Sequence, residues 1–244
     1  MKSLKTIFLT KFLFIILISG SVYAQEFSLG ADVVSRYIWR GQELGANSPS
    51  VQPSVEFSAG GFATGFWAAL PMASPEANAE EIDFYLSYGF DLGNAGGLSL
   101  GITDYMLPNA DGFQLTNFNN YDDTSEDGPG SHALELNVGY SGPESFPISL
   151  SFNVFFHGVE DSPIYVQLGY TTAVSDVGID LFVGSAFGDG AAYYLTTETF
   201  DIVNLGITAS KEIKITDSFS LPVFSSVITN PAAESLYFVF GVSL

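Results

Sequence analysis

Apolar and polar residues alternate along almost the whole chain. Phe152, Val154 and Phe156 occupy every second position of one segment, and residues 236–244 keep the same spacing to the C-terminus. Successive side chains of a β-strand point to opposite faces, so each such segment predicts a strand with one apolar face and one polar or small face. The pattern therefore predicts an all-β fold.

About twelve such segments follow one another. They lie near 26–40, 50–59, 61–70, 80–91, 96–106, 131–141, 146–157, 162–172, 177–188, 199–210, 217–228 and 234–244. Most have about ten residues, as a tilted membrane strand requires, whereas strands of soluble proteins average about five or six. A β-sandwich also alternates, but its water-facing positions usually carry more Lys and Arg. We predict a closed antiparallel up-and-down transmembrane β-barrel of about twelve strands.

The connections between these segments alternate in length. The short ones are 59–61, 91–97, 141–145 and 173–176, and the longer ones are 41–49, 71–79, 107–130 and 189–198. Outer-membrane barrels have short periplasmic turns and longer outer loops, so we expect both termini on the periplasmic side. Aromatic residues near the segment ends predict girdles at the two membrane interfaces. These residues are Tyr37, Trp39, Phe57, Phe62, Phe90, Tyr105, Tyr140, Phe146, Tyr170 and Phe187.

The first 24 residues have the pattern of a secretory signal peptide. Lys2, Lys5 and Lys11 form a basic region, a short apolar core at 12–18 follows it, and the stretch ends in Val-Tyr-Ala. The apolar core is far shorter than the roughly 20 residues of a membrane helix. We therefore expect cleavage after residue 24, which leaves one barrel domain at 25–244 in a bacterial outer membrane.

The charge and the cysteine content of the chain exclude some possible functions. Residues 25–244 carry four basic residues against 27 acidic ones, a formal charge of −23. Such a chain repels phosphate backbones, so we expect no nucleic-acid partner. Cysteine is absent, which excludes disulfides and thiolate metal sites. Outer-membrane lipid, lipopolysaccharide and small solutes or ions are the expected partners, and the oligomeric state stays open.

Two sequence motifs near the start of the barrel resemble those of a known family. Residues 35–41 read Ser-x-Tyr-x-x-Arg-Gly, Gln52 and Pro53 follow, and residues 61–67 read Gly-Phe-x-x-Gly-x-Trp. This opening is similar to that of the TorF family, whose members are named as porins by inference. The likeness covers about the first quarter of residues 25–244. It implies an outer-membrane barrel and supplies no substrate, and the acidic segment 107–130 departs from it.

The polar face of the first segment carries both arginines of the predicted mature chain. In a barrel that face lines the lumen, where charged side chains set ion preference. The pore-lining candidates are Asp32, Arg36, Arg40, Glu56, Asp83, Glu135 and Asp180. The same charges could instead form a structural ion-pair network, for instance Arg36 with Glu56 or Asp83, and Arg40 could lie at the outer rim.

The acidic segment 107–130 raises two further hypotheses. Its carboxylates, Asp111, Asp122, Asp123, Glu126 and Asp127, suggest calcium, but their spacing does not fit an EF-hand. A solvated outer loop explains them better. The segment could also fold inward and occlude the lumen.

The sequence holds little that indicates catalysis. His132 and His157 are the only histidines, and neither a Gly-x-Ser-x-Gly elbow nor a phosphate-binding or zinc motif occurs. We predict no enzymatic activity, no cofactor and no metal. A lipid-modifying enzyme is the third of three hypotheses.

The sequence predicts first a porin-like channel for passive diffusion of small polar solutes or ions, with a preference for cations. The alternative is a non-conducting outer-membrane barrel that binds a partner or surface polysaccharide through its acidic outer loops. The predicted number of strands does not decide between the two. Side chains fill a barrel of eight strands, a barrel of 16–18 strands leaves an aqueous channel, and about twelve lies between.

Overall fold

The alternating segments form twelve antiparallel strands that close into a barrel, and two short strands form a separate hairpin. A computed structural model describes residues 25–45, 47–73, 80–108, 112–119 and 129–244. In chain order its strands are β1 (Gln25–Val34), β2 (Tyr37–Trp39), β3 (Gln42–Leu44), β4 (Ser50–Ala59), β5 (Phe62–Pro71), β6 (Glu81–Asp91), β7 (Gly97–Met106), β8 (His132–Ser141), β9 (Ile148–His157), β10 (Ile164–Val174), β11 (Val177–Phe187), β12 (Phe200–Lys214), β13 (Ser220–Asn230) and β14 (Ser235–Ser243).

The closure of the barrel confirms the predicted fold class. Apart from the hairpin, each strand pairs with its neighbour in the chain, and β14 returns to β1. At that junction residues 32–34 pair with residues 241–243. The Leu244 amide donates to the Ala31 carbonyl at 2.8 Å, and the Ser35 amide donates to the Phe240 carbonyl at 2.8 Å. The predicted signal peptide lies outside the described residues.

The two faces of the wall differ as the alternation predicts. Phe27, Leu29 and Phe240 point outward and are 65%, 74% and 61% exposed, whereas their neighbours in the strand point into the barrel. Large apolar side chains on the outer face occur in every barrel strand and include Leu29, Phe57, Phe66, Phe84, Leu100, Leu136, Leu150, Leu168, Leu181, Ile207, Val227 and Phe238. Within the described ranges, no helix is both long and apolar enough to span a bilayer.

The connections predicted to be short and those predicted to be long lie at opposite ends of the barrel, as expected. We call the end that holds Gln25 and Leu244 the turn end and the other the loop end. The turn end carries connections 60–61, 92–96, 142–147, 175–176 and 215–219. The loop end carries connections 35–49, 72–80, 107–131, 158–163, 188–199 and 231–234. The longest segments therefore cluster at one rim.

The first strand is shorter than predicted. The sequence predicts a strand over 26–40, but β1 ends at Val34 and the chain turns into the β2–β3 hairpin. Arg40 and Gly41 have φ of +48° and +79°, and positive φ at both central residues is the geometry of a tight type I′ hairpin turn. Tyr37 and Trp39 continue the apolar positions of β1 at every second residue, which is why the pattern concealed the end of the strand.

Aromatic rings pack against glycines of neighbouring strands inside the barrel. The Tyr85, Tyr165, Phe182 and Phe224 rings occupy the space where Gly65, Gly184, Gly206 and Gly241 would carry a Cβ atom. Each ring thus packs on the backbone of a neighbouring strand. The four pairs fill part of the lumen with side chains of the wall itself.

Candidate functional site

The β2–β3 hairpin lies inside the loop-end half of the lumen. Its residues Tyr37, Ile38 and Trp39 are at most 7% exposed. Ile38 packs with buried residues of β1, β11, β13 and β14, so the hairpin has wall strands on several sides. The prediction that Tyr37 and Trp39 belong to an interface girdle is therefore wrong. It is also wrong for Tyr105, which is 4% exposed.

Trp39 is the centre of an aromatic cluster in the lumen. Its ring centroid lies 5.6 Å from that of Tyr105, 6.4 Å from that of Phe155 and 5.9 Å from that of Tyr194. Tyr193 meets it edge-on at 6.2 Å. Rings from β7, β9 and the loop after β11 therefore converge on the hairpin and hold it by apolar contact.

Arg40, at the tip of the hairpin, forms a two-point ion pair with Glu135 of β8. Its Nη1 donates to Oε1 at 2.5 Å and its Nη2 donates to Oε2 at 2.7 Å. The guanidinium lies 4.4 Å from the centroid of the Trp39 ring and 4.6 Å from that of Tyr165. Planar bidentate pairing and stacking on aromatic rings are interactions that arginine makes and lysine cannot reproduce.

Glu135 is fully buried and accepts further hydrogen bonds. The Tyr105 hydroxyl donates at 2.9 Å and the Asn137 amide donates at 2.7 Å. Because both carboxylate oxygens meet several donors, the pair satisfies the condition under which a buried charge is tolerated. The hairpin tip is thereby fixed to the β8 wall.

A second loop segment completes the enclosure of Arg40. Residues Asp189–Tyr194 form a 3₁₀ helix after β11 whose Gly190, Ala191 and Tyr194 are buried. The Tyr194 hydroxyl accepts from Arg40 Nη1 at 2.9 Å. Burial raises the pKa of that hydroxyl well above its usual value, so it stays neutral beside the guanidinium.

Gly41 lets the hairpin tip touch the wall. A Cβ atom at this position would collide with the backbone carbonyl of Val203 in β12, and its φ of +79° is one that glycine adopts readily. The structure therefore explains the Arg-Gly pair of the sequence motif. Arg40 forms the ion pair with Glu135, and Gly41 allows the hairpin tip to approach the backbone of β12 closely.

Polar side chains of the wall continue from the ion pair around the lumen. Asn137 accepts from Thr103 at 2.8 Å and donates to Asn153 at 3.0 Å. Farther along, Asn204 donates to the Tyr165 hydroxyl at 2.9 Å. A belt of hydrogen-bonded groups thus runs along the inner wall from β7 to β12 and contacts the hairpin through Glu135.

The predicted site residues separate into two groups. Asp32, Glu56, Asp83, Glu135 and Asp180 all occupy inward positions of wall strands. Asp32 and Asp83 are 2% and 3% exposed. Glu56 accepts from the Tyr85 hydroxyl at 2.8 Å, and Asp180 accepts from the Thr171 hydroxyl at 2.7 Å. Their role in lining a pore stays a prediction.

The two arginines lie in residues 35–44 and not on the first wall strand where the sequence predicts them, although Arg40 does point into the lumen. Arg36 pairs with Glu43 across the hairpin at 3.2 Å and not with Glu56 or Asp83. Arg40 is 3% exposed, so the rim position is also wrong. Both corrections follow from the hairpin, because it removes residues 35–44 from the wall.

Sequence reasoning missed several residues of this site, among them Glu81 and Tyr194. Glu81 points inward two positions before Asp83 and accepts from the Tyr37 hydroxyl at 3.2 Å; the alternation of β6 carries the signal that would have found it. Tyr194 lies in a loop without periodicity, and no local pattern marks it.

Both histidines hold the loop between β7 and β8 at the loop end. His132 Nδ1 lies 2.8 Å from an Asp104 carboxylate oxygen, and its Nε2 lies 3.1 Å from the Gln114 carbonyl. The Phe118 ring stacks on His132 with centroids 4.0 Å apart, and His157 Nε2 contacts the Phe118 carbonyl at 2.6 Å. Residues 112–119 are therefore tethered to the rim of β8 and β9.

Asp111, Asp122, Asp123, Glu126 and Asp127, the acidic residues of segment 107–130, lie outside the described residues. In the part of the chain that the structure describes, no three His, Asp or Glu side chains are arranged to hold a metal ion.

The turn-end half of the lumen has smaller side chains. Glycines and serines occupy the inward positions of β7 to β10 near this end, namely Ser99, Gly101, Gly139, Ser149, Ser151 and Gly169. Small inward side chains therefore line the turn-end half of these strands, whereas the hairpin occupies the loop-end half of the lumen.

One comparison with known proteins gives a match. A family model described as "Bacterial protein of unknown function (Gcw_chp)" matches residues 19–219, which is more than half of the chain. No curated protein matches the chain.

Proposed function

The chain belongs to the Gcw_chp family of bacterial proteins of unknown function, and we propose that it is an outer-membrane barrel that passes small cations. In this proposal the β2–β3 hairpin narrows the lumen and limits the size of the solutes that cross. The likeness of residues 35–41 and 61–67 to the TorF family supports the same function.

The outer face of the barrel supports membrane insertion. Large apolar side chains point outward on all twelve strands, and Phe238 and Phe240 are 57% and 61% exposed. Exposing such a surface to water is unfavourable, whereas a bilayer provides an apolar surrounding for it. We assign the turn end to the periplasm because outer-membrane barrels have their short turns there.

The negative charge of the lumen supports the proposed preference for cations over anions. The inward carboxylates of the wall strands include Asp32, Glu56, Glu81, Asp83, Glu135 and Asp180. Arg40 neutralises Glu135, and Arg36 is paired with Glu43. An excess of fixed negative charge remains, which favours cations over anions.

The hairpin sets the size limit. Twelve strands lie between the eight that side chains fill and the 16–18 that leave an aqueous channel. With the hairpin in the loop-end half, the remaining path is narrow, and we expect a small conductance and exclusion of sugars.

The test is the single-channel current of refolded residues 25–244 in a planar bilayer with a salt gradient. We expect small discrete steps and a cation-selective reversal potential. Asp180→Asn and Glu56→Gln, in the turn-end half, should shift that potential toward zero, while Glu160→Gln in a loop should not. An inserted barrel that passes no current under any voltage would contradict the channel.

The packing of the hairpin favours a second function. The Arg40–Glu135 pair and the rings around Trp39 hold the hairpin in the loop-end half. A barrel that stays closed would act through its outer loops, as a receptor for a partner or for surface polysaccharide. Absence of current together with binding of lipopolysaccharide to the inserted barrel would support this function.

A further inference from the structure

The outer wall carries an elongated apolar groove of about 670 Å³. It crosses β11 to β14 and β1, and it reaches from Val177 near the turn end to Pro49 near the loop end. Lys211, Val223, Val242 and Val33 are consecutive partners in one row across β12, β13, β14 and β1. They lie on the outward face, beside the strongly exposed Phe240.

Small side chains form the floor of the groove. Ala209 and Ser225 are partners in the next row, and Phe240 closes that row. On the same two strands, large side chains such as Ile207 and Val227 follow toward the loop end. The depression therefore results from the row of small residues in an otherwise bulky outer surface.

A charged pair marks the turn end of the groove. Lys211 lines the groove, and its Nζ lies 2.9 Å from an Asp176 carboxylate oxygen in the turn between β10 and β11. The hydrogen bond from Lys211 holds the pKa of Asp176 below its usual value. Both side chains are partly exposed, 41% and 65%, so each keeps hydrogen-bonding capacity for a further partner.

We propose that this groove binds a phospholipid whose headgroup carries a phosphate and a primary ammonium. The phosphate pairs with Lys211, the ammonium pairs with Asp176, and one acyl chain lies along the valine row. The inference rests on the membrane insertion proposed above and is independent of passage through the lumen.

The dimensions of the groove fit a lipid tail. Five interstrand steps of about 4.8 Å separate β11 from β4, which gives a length of about 24 Å. One leaflet is about half of the 30 Å hydrocarbon core, so a tail extends about 15 Å. The groove therefore accommodates one tail with its headgroup at the charged end.

The surrounding charges favour a zwitterionic headgroup over an anionic one. Lys211 and Asp176 neutralise each other, so an anion alone would meet the Asp176 carboxylate as well as the lysine. Lys214, the next basic residue, pairs with Asp217 at 2.6 Å and does not line the groove. A headgroup with both signs of charge satisfies both members of the pair.

The experiment measures which lipids stay bound. Residues 25–244 are refolded into vesicles of equimolar phosphatidylethanolamine, phosphatidylglycerol and phosphatidylcholine, extracted in a mild detergent and analysed by native mass spectrometry. We expect phosphatidylethanolamine to be retained in excess over both other lipids. Lys211→Gln should lower its retention about fivefold, the change that one lysine near a phosphate accounts for.

Two further variants locate the lipid. Ala209→Trp fills the floor without a change of charge and should remove the retained lipid. Lys214→Gln makes the same charge change outside the groove and should leave retention unchanged. Equal retention of the three lipids, or selective retention that survives Lys211→Gln and Ala209→Trp, overturns the proposal.

A separate readout distinguishes this result from failure of the proposed function. Protease protection in the same vesicles reports membrane insertion, and each variant is compared with the wild type in that assay. Failure of the wild type to insert contradicts the membrane proposal itself. Normal insertion without selective retention contradicts only the lipid site.

Discussion

Arg40 and Glu135 meet in a two-point ion pair inside the barrel although 95 residues separate them in the chain. Arg40 is at the tip of the β2–β3 hairpin, and Glu135 is in the wall strand β8. The pair therefore joins the occupant of the lumen to its wall. Neither charge has access to bulk water, so each depends on the other.

Loss of one member of this pair should destabilise the barrel. Glu135→Gln leaves the Arg40 guanidinium buried without a counter-charge, and we expect a loss of about 3–5 kcal/mol in the free energy of unfolding. The measurement is urea unfolding of the refolded barrel in detergent micelles. Arg40→Met combined with Glu135→Leu should cost much less than the sum of the two single changes, and additive costs would show that the side chains do not interact.

Gly41 should tolerate alanine less well than another glycine with positive φ. Gly41→Ala combines a strained backbone with a collision against the Val203 carbonyl. Gly93 has a φ of +61° and open space around it, so Gly93→Ala should cost only the backbone term of about 1–2 kcal/mol. Equal unfolding free energies for the two variants would argue against the close contact of the hairpin tip.

A smaller side chain at Trp39 should widen the lumen. Trp39→Ala removes the ring on which Tyr105, Phe155, Tyr193 and Tyr194 converge, and we expect a larger conductance and faster swelling of liposomes in small sugars. Phe238→Ala, a large aromatic deletion on the outer face, is the control and should change neither. Unchanged permeability of the Trp39 variant would mean that the hairpin does not limit passage.

A charge on the outer face should be more harmful than the same charge in the lumen. Leu136→Arg places a guanidinium among the outward apolar side chains, and we expect a cost of about 2–4 kcal/mol near the bilayer midplane. Ser151→Arg faces the turn-end half of the lumen and should cost much less. The comparison uses folding titrations in vesicles, and similar costs would contradict the assigned faces.

The Asp176 carboxylate should titrate below the ordinary range of aspartate. The hydrogen bond from Lys211 lowers its pKa in the folded protein, so the contribution of the pair is complete above the unfolded-state pKa. It is lost as the pH falls through the folded-state value. The carboxyl carbon signal of Asp176 reports this by NMR, and Lys211→Gln should raise the pKa. A titration that Lys211→Gln leaves unchanged would show that the pair does not form.

The two motifs that resemble the TorF family lie in contact in the structure. Tyr37 of the first and Trp67 of the second have ring centroids 5.3 Å apart. The first motif is the hairpin with its Arg-Gly turn, and the second is the wall strand beside it. We interpret both as elements that place the hairpin in the lumen.

The sequence by itself determined the strands and their faces. Period-two alternation has one physical cause, the opposite directions of neighbouring side chains in a strand, and it persists over ten or more residues in nearly every wall segment. For that reason β4, β6 and β9 agree closely with their predicted bounds, and Asp83 and Glu135 point inward as expected. The unequal connections likewise placed the long loops at one end.

Only the tertiary structure decided what occupies the lumen. Tyr37 and Trp39 continue the period-two apolar positions of β1, and an Arg-Gly turn is a weaker local signal than the Asn-Gly turns typical of tight hairpins. Their inward position depends on contacts with residues distant in the chain, such as Glu135 and Tyr194. Those contacts exist only after the barrel has closed, because closure brings separate strands and loops to the same side of the lumen.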